Sequence, residues 1–172
     1  MSEVTVREAT LADVDALVDM LVEVAGEGRW IGTEAPVDTE RRRRRMAADV
    51  EAGDVVLLVA EAEGKPVGQL GLELARYGVA DLGMLVAAGW RGRGVGTALL
   101  AEAVSRARAA GAHKIALQVW PHNQAAVALY EKFGFQREGL LRRHYRRRNG
   151  ELWDALVMGL LLDGPMQAGE DR

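Results

Sequence analysis

Three glycines at alternate positions come immediately before a long helical segment in the middle of the chain. The stretch WRGRGVGTALLAEAVSRARAAG contains Gly92, Gly94 and Gly96, followed by apolar residues with helical spacing. The first turn of a helix has backbone amides without partners and carries partial positive charge, so it binds anions. Glycines let the chain turn tightly and let a phosphate approach those amides. With Arg91 and Arg93 at its rim, this loop is a candidate phosphate-binding site.

Two common nucleotide-binding loops do not fit this segment. A P-loop requires a lysine after its last glycine, whereas Thr97 follows Gly96 here. A dinucleotide-binding loop requires the spacing G-x-G-x-x-G and an acidic residue about 20 positions further on. The third glycine comes too early for that spacing, and the next strand, KIALQVW, offers Gln118 instead of a carboxylate. Both nucleotide-binding interpretations therefore fail on context.

A second pair of polar residues lies downstream, in the segment NQAAVALYEKFG. Asn123 begins this predicted helix and Tyr130 follows seven residues later, so the two side chains lie two turns apart on one face. An asparagine at this position either caps the helix or reaches a ligand. Both interpretations of Asn123 are open at the level of the sequence.

The elements that position these residues alternate in type along the chain. Hydrophobic periodicity and turn signals predict the order β-α-α-β-β-β-α-β-α-β-β, which is a mixed α/β domain. We expect a basic helix from about Thr39 to Ala52, a helix from Gly94 to about Ala109 and a final hairpin that turns at Asn149–Gly150. One domain is expected over residues 1–162, followed by a flexible tail at residues 163–172.

The composition excludes several classes of protein. The 172 residues are 49% hydrophobic and 27% charged, which is typical of a globular domain. The chain has no cysteine, which excludes disulfides and a cysteine nucleophile, and its three histidines are not spaced as ligands, so no metal is expected. No apolar run is long enough to span a membrane and the first residues lack a signal-peptide core, so we expect a cytoplasmic protein without a membrane partner.

The charge of the chain argues against a nucleic-acid partner, because the net charge is −3. Basic residues nevertheless cluster in RRRRR at 41–45 and RRHYRRR at 142–148. Five consecutive helical positions wrap past a full turn, so we interpret the first cluster as the solvated surface of a helix. The second cluster lies in a predicted strand pair, where alternate residues share a face, and a functional role there stays open.

The two motifs together resemble the signatures of the GNAT N-acetyltransferase superfamily. RGRGVG matches the acyl-CoA loop pattern R-x-x-G-x-G of that family. NQAAVALYEKFGF matches its second signature, N-x-x-A-x-x-L-Y-x-x-x-G-F, through Asn123, Ala126, Leu129, Tyr130, Gly134 and Phe135. The resemblance covers about Val4 to Leu162 and implies the family's fold, a mixed sheet whose fourth and fifth strands splay apart. The last hairpin is similar to that of members acetylating amino acids, small amines or ribosomal and other protein N-termini.

The resemblance implies acetyl-CoA as the co-substrate and indicates the residues that bind it. The amides of the glycine loop and the Thr97 hydroxyl are expected to bind the pyrophosphate, and the main chain of the fourth strand to bind the pantetheine arm. The Val86 amide is expected to stabilise the oxyanion of the transition state. The implied cofactor-binding residues are Leu85, Val86, Ala87, Arg91, Gly92, Arg93, Gly94, Val95, Gly96, Thr97, Asn123, Ala126 and Tyr130.

The resemblance also suggests catalytic and acceptor-binding residues. Tyr130 is the expected proton donor to the departing thiolate, with a packed core tyrosine as the alternative. Asp81 on the fourth strand is the preferred general base, although a β-bulge of one residue would turn it to the wrong face. Glu73 on the neighbouring strand is the second candidate, and it lies with Glu34 and Trp30 among the residues expected to contact the acceptor.

We therefore expect a homodimeric enzyme that transfers acetyl from acetyl-CoA to the primary amine of an amino acid, a small amine or a protein N-terminus. Attack is expected to be direct, in a ternary complex, because the chain has neither a cysteine nor a G-x-S-x-G motif. The arginines at 142–148 are expected to repel polycations and to bind an acceptor carboxylate. The alternatives are an acyl-CoA sensor without turnover and an acetyltransferase for antibiotics or phosphinothricin.

Overall fold

The computed structural model describes residues 3–74 and 76–162, so the predicted tail at 163–172 lies outside the described residues. The order of elements is the one that the sequence predicts. The strands are β1 (Thr5–Glu8), β2 (Val55–Ala62), β3 (Lys65–Leu74), β4 (Val79–Val86), β5 (Lys114–Val119), β6 (Gln136–Arg146) and β7 (Leu152–Leu161). The helices are α1 (Val14–Gly26), α2 (Thr39–Ala52), α3 (Val95–Ala109) and α4 (Gln124–Lys132).

The strands form one twisted sheet in the order β1-β2-β3-β4-β5-β7-β6. β4 and β5 run parallel, because α3 crosses over between them, while the other neighbouring strands are antiparallel. The β4–β5 pairing begins at Val79–Lys114 and ends at Asp81–Ala116. Beyond that point the two strands diverge, which confirms the expected splay.

Each face of the sheet is covered by one pair of helices, because side chains alternate along every strand. On β4, Ala80 and Leu82 pack into the larger apolar cluster, which contains residues of α3 and α4. Leu85 points to the opposite face and packs with Leu21 of α1 and Met46 of α2. The end of β4 therefore lies between the two pairs of helices, and this position brings both faces to one site.

A glycine lets α3 approach the sheet closely. Gly68 lies opposite Val86 in the β3–β4 ladder, and a Cβ on Gly68 would lie 2.8 Å from Val95 Cγ1 and 3.0 Å from Leu99 Cδ1. Both of those residues are buried in the first turns of α3. The missing side chain therefore lets the first turn of α3 pack directly over the end of β4.

Candidate active site

The divergence of β4 from β5 exposes the main chain of Val86. In an antiparallel ladder, every second residue directs its main-chain groups to a given neighbour. The Ala87 amide donates to the Val67 carbonyl at 3.0 Å, and Leu85 pairs with Gln69, so both residues direct their main chains to β3. Val86, between them, directs its amide to the side where β5 has diverged. Of the three residues from Leu85 to Ala87, Val86 is the one whose amide faces the gap.

A cavity of about 750 Å³ passes through this gap. On one side it is lined by residues of α1, α2 and the loop between them, including Leu21, Trp30 and Met46. On the other side it reaches the glycine loop and α4, including Thr97 and Tyr130. The cavity thus joins the two faces of the sheet at the end of β4.

The glycine loop places free amides at one end of this cavity. α3 begins at Val95 after Gly94, which has a φ of 83°, and the first helical hydrogen bond runs from the Ala98 amide to the Gly94 carbonyl. The amides of residues 95–97 therefore precede the helical ladder. A Cβ built on Gly94 would meet no atom within 4 Å, so the space in front of these amides is open.

Gly96 has a different role from that of Gly94. A Cβ on Gly96 would lie 3.0 Å from Leu129 Cδ2 and 3.6 Å from Met84 Cε. Gly96 therefore lets α3 pack against α4 and β4, whereas Gly94 makes a turn that favours glycine. Gly94 is therefore required by the backbone conformation, and Gly96 by the close packing of α3 on its neighbours.

The residues present fit an acyl-CoA. The positively polarised end of α3 suits a pyrophosphate. Val86, beside the gap, lines the same cavity as the glycine loop. An acyl-CoA held in this way would present its thioester to the main chain of β4. The chemistry that it supplies is an acyl group activated for transfer.

The side chains of the two loop arginines are already engaged. Arg91 donates to both carboxylate oxygens of Glu27, at 2.7 and 2.8 Å, and its Nε donates to the Val86 carbonyl at 3.0 Å. The hydrogen bonds from Arg91 lower the pKa of Glu27. Arg93 stacks over Trp90 at 4.8 Å from the ring centroid. Arg91 therefore ties the glycine loop to the end of α1, while its main chain remains part of the loop.

Asn123 and Tyr130 both line the cavity from α4. Asn123 Oδ1 accepts a hydrogen bond from the Ala126 amide at 3.3 Å, so Asn123 caps α4. The Tyr130 ring is buried and packs against Phe135, with centroids 5.5 Å apart. Burial raises the pKa of Tyr130 to about 12, so its hydroxyl stays protonated and can act as a hydrogen-bond donor near neutral pH.

The two predicted carboxylates on the sheet lie away from the cavity. Asp81 and Glu73 are directly opposite each other on β4 and β3, and both are exposed. Neither is among the residues that line the cavity. Asp49 of α2 does line it, but Arg45 Nε lies 3.2 Å from its carboxylate. Among the described residues, the cavity therefore contains no unpaired carboxylate.

The acceptor-side residues predicted from the loop after α1 divide into two groups. Trp30 lines the cavity, and its Nε1 donates to Glu27 at 2.7 Å. Glu34 instead accepts hydrogen bonds from the Arg148 amide and lies 3.5 Å from Arg147 Nε. Glu34 therefore holds this loop to the final hairpin and does not line the cavity.

The hairpin arginines do not supply the expected carboxylate site. Arg147 is 5% exposed, donates to the Gly32 carbonyl at 3.1 Å and lies over Trp153 at 4.4 Å from the ring centroid. Arg148 donates to the Pro36 carbonyl. None of the arginines between 142 and 148 lines the cavity, so the cationic hairpin stabilises the loop between α1 and α2.

Two residues that the sequence did not single out line the cavity instead. Arg42 belongs to the RRRRR cluster, and its Nη2 donates to Thr33 Oγ1 at 3.0 Å. Gln69 of β3 is 7% exposed and lines the same cavity. No local pattern marks Gln69, because alternation along KPVGQLGLEL places it on the same strand face as Glu73 and opposite to Leu70. The basic run offered no signal that separates Arg42 from its neighbours.

Two further features are absent from the described ranges, a metal-binding cluster and a membrane-spanning helix. No group of three histidine, cysteine or carboxylate residues within 3–74 and 76–162 is arranged to hold a metal ion. In the same ranges, no helix has the length and apolar character needed to cross a membrane.

Comparison with known proteins identifies the family. The model of the acetyltransferase (GNAT) family matches residues 18–135. The chain is 31% identical over 163 residues to the L-amino acid N-acetyltransferase AaaT of Escherichia coli, covering 92% of this chain and 98% of the relative. It is 27% identical over 164 residues to an L-methionine sulfoximine/L-methionine sulfone acetyltransferase of Pseudomonas paraeruginosa, covering 92% and 95% of the two chains.

A solved structure of another N-acetyltransferase has the same fold as this chain. The ribosomal-protein-alanine N-acetyltransferase of Brucella melitensis superimposes with a TM-score of 0.83 at 30% identity, covering 91% of this chain and 99% of that one. The chain therefore belongs to the GNAT acetyltransferase family. It is an acetyl-CoA-dependent acyltransferase, as the relatives' names and the matched family describe.

The turn before α3 generates the first prediction. Gly94→Ala forces a side chain into a left-handed conformation and disturbs the amides of residues 95–97, so the affinity for acetyl-CoA in calorimetry should fall about tenfold or more. Gly111→Ala is the matched control, because Gly111 has a similar φ of 79° and equally open space but lies beyond the other end of α3. Equal acetyl-CoA affinities in two variants of similar stability would contradict the placement of the pyrophosphate.

Proposed function

We propose that the protein transfers the acetyl group of acetyl-CoA to the α-amine of a free amino acid, and that Arg42 binds the carboxylate of this acceptor. The observation that carries the proposal is the state of Arg42, a part-buried guanidinium in the cavity that has no carboxylate partner among the described residues. A guanidinium binds a carboxylate with two parallel hydrogen bonds when it is free to do so.

Three of the other four arginines in the RRRRR cluster differ from Arg42 in this respect, and the fourth, Arg41, is exposed and does not line the cavity. Arg43 pairs with Asp15 and Asp19 of α1, Arg44 with Glu40, and Arg45 with Asp49. Desolvating a cation without a partner costs free energy, and a bound anion removes that cost. The surrounding cavity is lined largely by apolar side chains, which strengthens an ion pair by lowering the local dielectric.

Among the described residues, the cavity has no unpaired carboxylate that could act as a general base, and this favours an acceptor with an α-amine. The attacking amine must be neutral, and a distant general base can remove a proton only through water. An α-amine has a pKa of about 8, against about 10.4 for a lysine side chain. A larger fraction of an α-amine is therefore neutral near pH 7, so this acceptor requires less of a base than a lysine does. Asp81 and Glu73 stay candidates for a base that acts through water.

The remaining roles follow from the main chain of β4 and from α4. The Val86 amide faces the gap and is suited to donate to the thioester oxygen as negative charge develops there. Tyr130, kept protonated by burial, is suited to donate a hydrogen bond to the sulfur that leaves. Attack is direct in a ternary complex, since the chain contains no cysteine that could carry the acetyl group.

The names of the relatives agree with this acceptor. Two relatives that match over most of the chain, AaaT and the L-methionine sulfoximine/L-methionine sulfone acetyltransferase of Pseudomonas paraeruginosa, are named for α-amino acids. A protein N-terminus is the second candidate, because the Brucella melitensis neighbour is named for ribosomal-protein alanine. A peptide N-terminus lacks the free carboxylate next to the amine, so the acceptors distinguish the two candidates.

A competition assay with an arginine variant tests the acceptor. Free amino acids, including L-methionine sulfone, should be acetylated faster than their amides, an alanine-terminated peptide, spermidine or kanamycin. Arg42→Gln should raise KM for the amino acids by about 10- to 100-fold, because it removes a charge-assisted bidentate contact. Release of free CoA is the measurement.

Arg44→Gln is the matched control for this variant. Arg44 lies two positions along the same helix, is 74% exposed and pairs with Glu40 outside the cavity, so its KM should stay at the wild-type value. A preference for amides would redirect the proposal to peptide N-termini. Equal KM values for acids in the wild-type and Arg42→Gln proteins would reject the role of Arg42.

Tyr130→Phe tests the donor role on α4. The variant should bind acetyl-CoA almost as tightly as the wild type while kcat falls by about 10²- to 10⁴-fold, because the proton donor to the leaving sulfur is lost. Burial raises the pKa of Tyr130 to about 12. Ionisation of this residue therefore contributes no loss of activity below about pH 10. Wild-type turnover in a folded Tyr130→Phe protein would mean that the tyrosine only packs.

We also propose that the protein acts in the cytoplasm as a homodimer that associates through β6. This strand is the edge of the sheet, and Leu140 and Tyr145 on it are 49% and 37% exposed. An unpaired edge with exposed apolar side chains is a surface that a second copy can cover. Light scattering that gives a monomer at micromolar concentration would reject the dimer and leave the proposed reaction unaffected.

A further inference from the structure

The side-chain oxygen of Gln69 is buried without a hydrogen-bond partner, alone among the buried side-chain polar atoms of the described residues. Burying a polar group without a partner costs free energy, about 1–3 kcal/mol in typical cases. Such groups are rare in folded proteins and require an explanation. Because Gln69 also lines the cavity, a ligand is the natural partner.

Gln69 lies on the acceptor side of the gap. Its neighbours in the ladder are Val59 of β2 and Leu85 of β4, and both belong to the apolar cluster beneath α1 and α2. Directly opposite residues on neighbouring strands have Cβ atoms about 5 Å apart. The Gln69 side chain therefore starts on the strand next to β4, directly opposite Leu85. The residue after Leu85, Val86, directs its amide into the gap.

A pair of glycines leaves space beside this carboxamide. Gly71 and Gly83 are directly opposite each other on β3 and β4, two residues along each strand from Gln69 and Leu85. Both line the cavity, and a Cβ built on Gly83 would meet no atom within 4 Å. The face of the sheet next to Gln69 is thus open to a small molecule.

We propose that Gln69 positions the acceptor, its side-chain oxygen accepting a hydrogen bond from the neutral amine that attacks the thioester. This inference rests on the proposed function. Oε1 itself is not exposed to the cavity. Because the last torsion of a glutamine side chain is broad, a rotation of the amide brings the oxygen to the cavity when the amine binds. The amine then donates one N–H to Gln69 and keeps its lone pair for the attack.

A neutral carboxamide suits this task better than a carboxylate. A carboxylate beside an amine stabilises the ammonium form and raises its pKa, which removes the lone pair. The ionisable side chains that line the cavity are Arg42, Arg45, Asp49, Arg91, Tyr130 and Tyr145. The cations among them disfavour an ammonium, and Gln69 adds a polar contact without opposing them.

Gln69→Leu removes the contact and keeps the approximate size of the side chain. Calorimetry with L-methionine sulfone and CoA-loaded protein should show binding weakened about 2- to 10-fold, the value of one neutral hydrogen bond. The affinity for CoA should stay unchanged. The melting temperature should stay equal or rise, because a buried group without a partner is removed.

Gln118→Leu is the stability control for this variant. Gln118 also lines the cavity, but its Oε1 accepts a hydrogen bond from the Tyr145 hydroxyl at 2.6 Å. Loss of that satisfied bond should lower the melting temperature. If Gln69→Leu lowers it equally and leaves the binding of L-methionine sulfone unchanged, Gln69 has only a structural role and the inference is wrong.

Gln69→Glu separates positioning from packing. The added carboxylate should raise the pKa of the bound amine and move the acidic limb of the kcat profile to higher pH, a change that a packing residue would not cause. Gly83→Ala should weaken amine binding at unchanged stability, because its methyl group enters the open space. An unmoved pH profile in Gln69→Glu would count against the inference.

The outcomes also separate this inference from the proposed function. If the wild-type protein acetylates L-methionine sulfone and Gln69→Leu binds it equally well, the proposed function stands and the inference fails. If the wild-type protein neither binds nor acetylates L-methionine sulfone, other amino acids or an alanine-terminated peptide, both fail.

Discussion

The separation of β4 from β5 after Asp81 and Ala116 is the constraint on which the rest of the structure depends. A parallel pair that stayed bonded would satisfy the main chain of Val86 within the sheet and close the cavity. Because the strands diverge, the Val86 amide faces a space that reaches both faces of the sheet. The first turn of α3 and one face of α4 both line this space, so they can contribute to the same site.

Most of the charged side chains near the site hold the chain in place. Arg91 joins the glycine loop to the end of α1 through Glu27, and Arg147 joins the final hairpin to the loop between α1 and α2. These contacts position Trp30 and the first residues of α3 relative to each other. Arg91 thus connects the loop before α3 to the segment around Trp30, while the buried Arg147 holds the other end of that segment to the final hairpin.

The groups left without partners indicate where ligands bind. Within the described residues, Arg42 has no carboxylate partner although the three arginines that follow it do, and Gln69 Oε1 has no hydrogen bond although it is buried. One group is cationic and the other is neutral, and both line one largely apolar cavity. An α-amino acid carries the complementary carboxylate and amine on the same Cα, which is why we prefer it to a simple amine.

The sequence by itself determined the order of elements, the anion-binding turn before α3 and the family, because these depend on local periodicity, backbone requirements and motif spacing. It did not separate Arg42 from the solvated arginines around it, and it assigned Glu34 and the hairpin arginines to the acceptor. Only the tertiary structure shows these contacts, because most of the partners lie on distant segments. The Arg147 guanidinium donates to the Gly32 carbonyl, that of Arg43 to Asp15, and that of Arg42 to Thr33. Whether a charge is free to bind a ligand depends on which long-range contacts have already satisfied it, and local sequence does not contain that information.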